Sequence, residues 1–128
     1  MMGTQRIKLG SRGEEFAAGF LKKQGYVILE TNYKTKIGEI DIIARENGTI
    51  CFIEVKTRAA LGQGMPLEAV TFSKRRKLSQ MALGYLKLKN LLDVKARFDA
   101  VSVILDKDGK FRADLVKDAF ELAAPYAY

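Results

Sequence analysis

The sequence predicts an α/β fold, a mixed sheet with a central antiparallel hairpin flanked by helices. Three observations predict it. Residues 12–24 and 66–90 repeat apolar side chains at helical intervals. Between them lie three runs rich in β-formers, the last two separated by Asn47-Gly48, and a further run, RFDAVSVIL, follows the second helical segment. The 128 residues contain two prolines and no repeat or low-complexity linker, so one domain, 1–128, is expected. A chain of this size buries roughly two-thirds of its unfolded surface.

The first helix is expected from Arg12 to Gln24. Ser11 stands a capping-box spacing before Glu14, Phe16, Phe20 and Leu21 share a stripe, and Gly25 is the stop. YVILETNY, from Tyr26 to Tyr33, reads as a strand; IGEIDIIAR and TICFIEVKTR read as two more. Asn-Gly is the strongest short hairpin signal because both turn positions need positive φ. A Gly-containing loop from Arg58 to Met65 follows, with Gly62 to Gly64 expected to be mobile. Pro66 and Ser73 are start signals for a short helix and a longer one, on which Leu78, Met81, Ala82, Tyr85 and Leu88 form one stripe. Arg97 to Leu105 is the next strand, the DKDG turn leads to a short extended piece around Phe111, and a helical turn is expected near Ala119.

Composition removes several chemistries. Histidine is absent and Cys51 is the only thiol, so an intrachain disulfide, Cys/His zinc sites and His-dependent triads are excluded. Cys51 lies in the apolar run TICFIEV and reads as a small buried hydrophobe. No stretch approaches the ~20 apolar residues that span a bilayer, and MMGTQRIKLGSRGEE lacks the apolar region of a secretory signal. A cytoplasmic protein with no membrane partner is expected. The net charge of +7 favours a polyanionic partner, nucleic acid first.

The hairpin carries the chemistry. A two-residue turn pairs Glu46 with Thr49, which puts Asp41 opposite Glu54 and Glu39 opposite Lys56 on one face. The same face continues with Ile43, Phe52, Arg45 and Ile50. The other face, Ile40, Ile42, Ala44, Cys51, Ile53 and Val55, is wholly apolar and should be core. Two carboxylates ~5 Å apart repel by roughly 3 kcal/mol at an effective dielectric of ~20. A shared proton or Lys56 would offset this, but a divalent cation held by Asp41 and Glu54, with the Val55 carbonyl as a third oxygen, does so more effectively. In E-x-K the middle residue points away from the site, and Val55 is suitably apolar. Lys56 is then placed to orient water or offset phosphoryl charge. Solvated acids at a sheet end would look the same at this level.

These residues resemble the YraN family of bacterial proteins, distantly similar to the Holliday-junction resolvases of the PD-(D/E)xK nuclease superfamily. The similarity rests on RGEEFAAGFLKKQGYVILETNYK, GEIDIIARENGTICFIEVKTR, GMPLEAVTFSKRRKL and RFDAVSV, together almost the whole chain. It implies a restriction-endonuclease-like core and a catalytic set of Asp41, Glu54 and Lys56 with Glu14 from the first helix. It also implies Mg2+, with Mn2+ as a substitute, and DNA as the partner. Resolvase-like enzymes commonly act as dimers, so a homodimer is the expected assembly. Two features depart from the superfamily pattern. Ile40 replaces the proline before Asp41, and Gln80 and Tyr85 are five apart, so Gln80 is a weak participant. Glu14 fits a helix-capping role equally well, and Glu15 points away from it.

Lys74, Arg75, Arg76 and Lys77 follow Ser73 in what should be the first helical turn, where the helix dipole disfavours cations. Phosphate binding explains that placement, and Arg58 extends the positive field toward the site, with Lys34 and Lys36 flanking it. The leading expectation is a magnesium-dependent endonuclease hydrolysing DNA, branched or damaged. The alternative is a non-catalytic nucleic-acid-binding adaptor on the same scaffold, and a third reading is a protein-interaction module with a structural acidic patch.

Overall fold

The computed structural model describes residues 2–59 and 72–120. Helix α1 (Met2–Lys23) precedes strands β1 (Val27–Thr35), β2 (Gly38–Glu46) and β3 (Thr49–Ala59). Helix α2 (Phe72–Leu88) then leads to β4 (Ala96–Leu105) and β5 (Phe111–Phe120). The strands form one sheet in the order β1-β2-β3-β4-β5. All neighbours are antiparallel except β3 and β4. A parallel pair cannot be closed by a tight turn, and α2 lies in the crossover that joins it.

The hairpin forms as its sequence dictates: Asn47 (φ 48°) and Gly48 (φ 78°) both take the left-handed conformation of a two-residue turn. The register runs from Glu46↔Thr49 to Ile42↔Ile53. Residues Ile50 to Val55 of β3 are all buried because a helix covers each face of the sheet. On one face, Ala17 and Leu21 of α1 pack with Ile42, Ala44, Cys51, Ile53, Val55, Val101 and Val103. On the other, Leu78, Met81, Ala82 and Tyr85 of α2 pack with Ile40, Ile43, Ile50, Phe52 and Phe98. Cys51 is fully buried, and burial pushes its thiol up to about 12.

Several expectations change. Helix α1 begins at Met2, not near Arg12, so Ser11 lies in its interior and the Ser11/Glu14 capping box does not form. Ser73 is likewise inside α2 rather than its cap. Ala119 belongs to a ten-residue strand, not a helical turn. The alternating Phe111, Ala113 and Leu115 pack against the α1 cluster, and Phe120 stacks on Phe98 at 4.7 Å, which draws the whole segment onto the free edge of β4. Ile40 packs under α2 instead of joining Ile42 under α1, so strict alternation breaks at Asp41. Pro66, Met65 and the Gly62 to Gly64 loop lie outside the described residues. Among the described residues no helix is long and apolar enough to cross a membrane.

A polar network ties the sheet together at the end nearer the hairpin turn. Asp99, fully buried, accepts from the Tyr26 hydroxyl at 2.8 Å, from Arg97 Nε at 2.9 Å and from the Asp118 N–H at 2.9 Å. Arg97 also reaches Glu46 at 2.6 Å, which Lys117 holds from β5. The buried carboxylate is thus paired and fully engaged, the condition under which a buried charge is tolerated.

Candidate metal and nucleic-acid site

The site forms where β2 and β3 part. Their ladder ends at Ile42↔Ile53, and one residue further Asp41 Oδ2 accepts the Val55 N–H at 2.8 Å. A side chain thus takes the place of the next backbone partner. The direct pairs expected from the hairpin, Asp41 with Glu54 and Glu39 with Lys56, are not part of the register. The ladder on the other side of β2 also has a gap at this level. Asn32 has φ 51° in the middle of β1, and the β1–β2 register passes from Thr31↔Ile42 to Tyr33↔Ile40 without an Asn32↔Asp41 pair.

Three carboxylates meet at this break. Oxygens of Glu14, Glu39 and Asp41 all lie within 4.8 Å of one another. Asn32 joins them: its amide nitrogen donates to Glu14 Oε1 at 2.7 Å and to Glu39 Oε1 at 3.2 Å, the orientation its oxygen-bearing neighbours require. Glu14, Asn32 and Asp41 border a hollow of about 250 Å³ between α1 and the sheet. Gly13 brings the helix this close. A Cβ there would stand 2.1 Å from Thr57 Oγ1 and 2.5 Å from its Cγ2, so only glycine lets α1 rest on β3 at this point. Glu14 therefore faces the sheet, while Glu15 is exposed.

Glu54 approaches from the α2 side. It is buried, and its Oε1 accepts from the Lys74 ammonium. Lys74, expected with its neighbours to bind phosphate, makes this ion pair from the start of α2. Lys56 adjoins Lys74. Glu54 is not among the three carboxylates that cluster within 4.8 Å, although its charge is felt at both Asp41 and Glu14. Val55 is buried, with its N–H engaged by Asp41. Lys77 borders a second hollow, shared with Glu39, Ser73 and Lys74. Arg58 and Arg75 are half-buried and Arg76 is exposed. Gln80 is exposed beside Tyr33, Lys36 and Tyr85, in a hollow that includes none of the site carboxylates.

The electrostatics follow from this crowding. Burial first, then the Glu54 charge, pushes Asp41 up to about 7, against the Val55 hydrogen bond that favours its ionised form. Burial, followed by the Glu39 and Glu54 charges, raises Glu14. Partial burial pulls the Lys74 ammonium down, but its bond to Glu54 and the surrounding acids hold it above the ordinary lysine range. Burial and neighbouring carboxylates thus both disfavour the ionised forms of Asp41 and Glu14. Oxygen-only donors of this kind suit a hard divalent cation. Asp41, Glu14 and Glu39 are near enough to share one.

Sequence reasoning placed Glu39 on this patch but opposite Lys56, and it passed over Asn32. The one local signal was an asparagine, a poor strand former tolerant of positive φ, inside a run of β-formers.

Comparison with known proteins agrees with the motifs. The sequence matches the model of a family described as "Uncharacterised protein family UPF0102" over residues 13–103, a span containing all of the site carboxylates. It is 48% identical over 120 residues to a UPF0102 protein of Syntrophus aciditrophicus, covering 94% of each chain. It is 44% identical over 115 residues to one of Geobacter sulfurreducens, covering 90% of each. A relative from Caldicellulosiruptor saccharolyticus is 45% identical over 114 residues, 88% of this chain and 97% of its own.

Proposed function

The chain belongs to the uncharacterised protein family UPF0102, the YraN family its motifs resemble, and from its site we propose a metal-dependent endonuclease that hydrolyses DNA phosphodiester bonds. The proposal includes a restriction-endonuclease-like core and branched or damaged DNA as the substrate. The single observation that carries it is the meeting of Glu14, Glu39 and Asp41 at the parting of β2 and β3, with Glu54, Lys56 and Lys74 alongside.

In this reading Asp41, Glu54 and Glu14 hold Mg2+, or Mn2+ in its place, with the Val55 carbonyl as a further oxygen. The bound ion supplies Lewis acidity toward a phosphoryl oxygen and lowers the pKa of water. Lys56 orients water and donates to the phosphoryl oxygens as their charge grows. Asp41, fixed by the Val55 N–H, keeps its free oxygen aimed into the pocket. Lys74, Arg75, Arg76, Lys77 and Arg58 hold the DNA backbone, and Lys74 also balances Glu54. A homodimer is part of the proposal, since a four-way substrate presents equivalent strands to two sites.

One observation favours the adaptor reading: the Lys74 ammonium already pairs with Glu54. Incubating the wild type with linear, flapped and four-way DNA in Mg2+ or Mn2+ separates the two. A nuclease cleaves, and Asp41→Ala, Glu54→Ala and Lys56→Ala each abolish cleavage. Salt-sensitive binding without cleavage under every metal and substrate overturns the nuclease reading in favour of the adaptor.

A further inference from the structure

The described residues with positive φ other than glycine are Asn32, Asn47, Asn90 and Asp118. Three of these have a backbone reason. Asn47 makes the hairpin turn, Asn90 follows the end of α2, and Asp118 stands at an irregularity in β5, where its N–H donates to Asp99. Asn32 makes no turn and ends no element; it sits in the interior of β1, with Thr31 and Tyr33 in register on either side. The left-handed residue costs the strand a ladder position, and what it gains lies in the side chain.

That gain is geometric. The amide is planar and carries two N–H groups on one nitrogen, so it can serve two acceptors at once. Here the acceptors are Glu14 Oε1, on α1, and Glu39 Oε1, on β2, at 2.7 and 3.2 Å. Without a donor between them, two carboxylates beside Asp41 would be driven apart by their charges. Aspartate has the same shape but no donor; glycine takes the same φ but has no side chain.

We infer that Asn32 is a positioning residue of the cation site, whose amide fixes Glu14 of the helix and Glu39 of the sheet beside Asp41. The inference rests on the reading of Glu14 and Asp41 as cation ligands, and it brings Glu39 into that set. Residues that hold metal ligands in place without touching the metal typically govern affinity by about 10- to 100-fold.

The test is calorimetric titration of the full-length chain with Mn2+, in parallel with thermal unfolding, for wild type, Asn32→Gly and Asn32→Ala. Glycine retains the left-handed backbone and removes only the amide. The expected result is that Asn32→Gly melts like the wild type yet binds Mn2+ about 10- to 100-fold more weakly, with Asn32→Ala at least as weak. Wild-type affinity in Asn32→Gly, with loss confined to Asn32→Ala, would show that the position serves the backbone alone and overturn the inference while leaving the cation site standing. A glycine variant that fails to fold overturns it too, since the amide would then support the fold rather than the site. A wild type that binds no Mn2+ removes both the inference and the reading beneath it.

Discussion

Replacing Asp41 by asparagine should make the metal-free protein more stable at neutral and alkaline pH. An aspartate that ordinarily titrates at 3.8 is pushed up to about 7 in this fold. Between those values the folded chain holds a proton that the unfolded chain has released, so stability falls as pH rises through this window and levels off above it. Each pKa unit is worth about 1.4 kcal/mol, so ionised Asp41 costs on the order of 4 kcal/mol above pH 7, or ~2–4 kcal/mol once its partial contact with solvent is counted. The substituted amide would still accept the Val55 N–H through its carbonyl oxygen while carrying no charge. At about 3–5 °C per kcal/mol for a chain of this size, Asp41→Asn should melt on the order of 10 °C higher than wild type at pH 8 in chelator. At pH 4 the two should nearly coincide, and Mg2+ should narrow the gap at pH 8 by raising the wild type alone. Circular-dichroism melts across this range decide the matter. A variant that melts at or below the wild type at pH 8, or an offset independent of pH, would refute the reasoning.

Gly13→Ala should destabilise by about 1–3 kcal/mol, the usual cost of overpacking, and should weaken cation binding by moving Glu14. The loss should shrink in a Thr57→Gly background, which removes the atoms the new Cβ meets; equal losses in both backgrounds would contradict this. Asp99→Asn should cost about 1–3 kcal/mol in urea unfolding by weakening the bonds from Tyr26, Arg97 and the Asp118 N–H, while Arg97 keeps Glu46, with Mn2+ affinity unchanged because none of these residues belongs to the carboxylate cluster. Lys77→Ala should lower the salt slope of DNA binding by about 1 without touching Mn2+ affinity. Lys74→Ala should instead tighten Mn2+ binding, because Glu54 loses its ammonium.

What the sequence made legible, and what it hid, follows from the range of the interactions involved. The hairpin register was legible from two residues, Asn47 and Gly48, since the turn they demand leaves no freedom from Glu46 to Ile42. The stripe of Phe16, Phe20 and Leu21 marked α1, but the MGTQRIKLGS segment before Arg12 has no such stripe, so the first turns of the helix left no periodic trace. Neither the parting of β2 and β3 nor the left-handed Asn32 in the neighbouring strand leaves a sign in the alternation. Glu14 was legible only through motif resemblance; its approach to Asp41 depends on the absence of a side chain at Gly13, a packing fact set by Thr57. The pairing of Lys74 with Glu54 and the Tyr26, Arg97 and Asp99 network depend on how distant segments dock, which charge and spacing along the chain do not encode.

The central proposition is that the carboxylates gathered where β2 and β3 part hold a divalent cation. Its most direct measurement is calorimetric titration of Mn2+ into wild type and Asp41→Ala at pH 8, where Asp41 is ionised. Saturable binding in the wild type, lost in the variant while the fold is retained, is the expected result. Identical isotherms for the two proteins would contradict it.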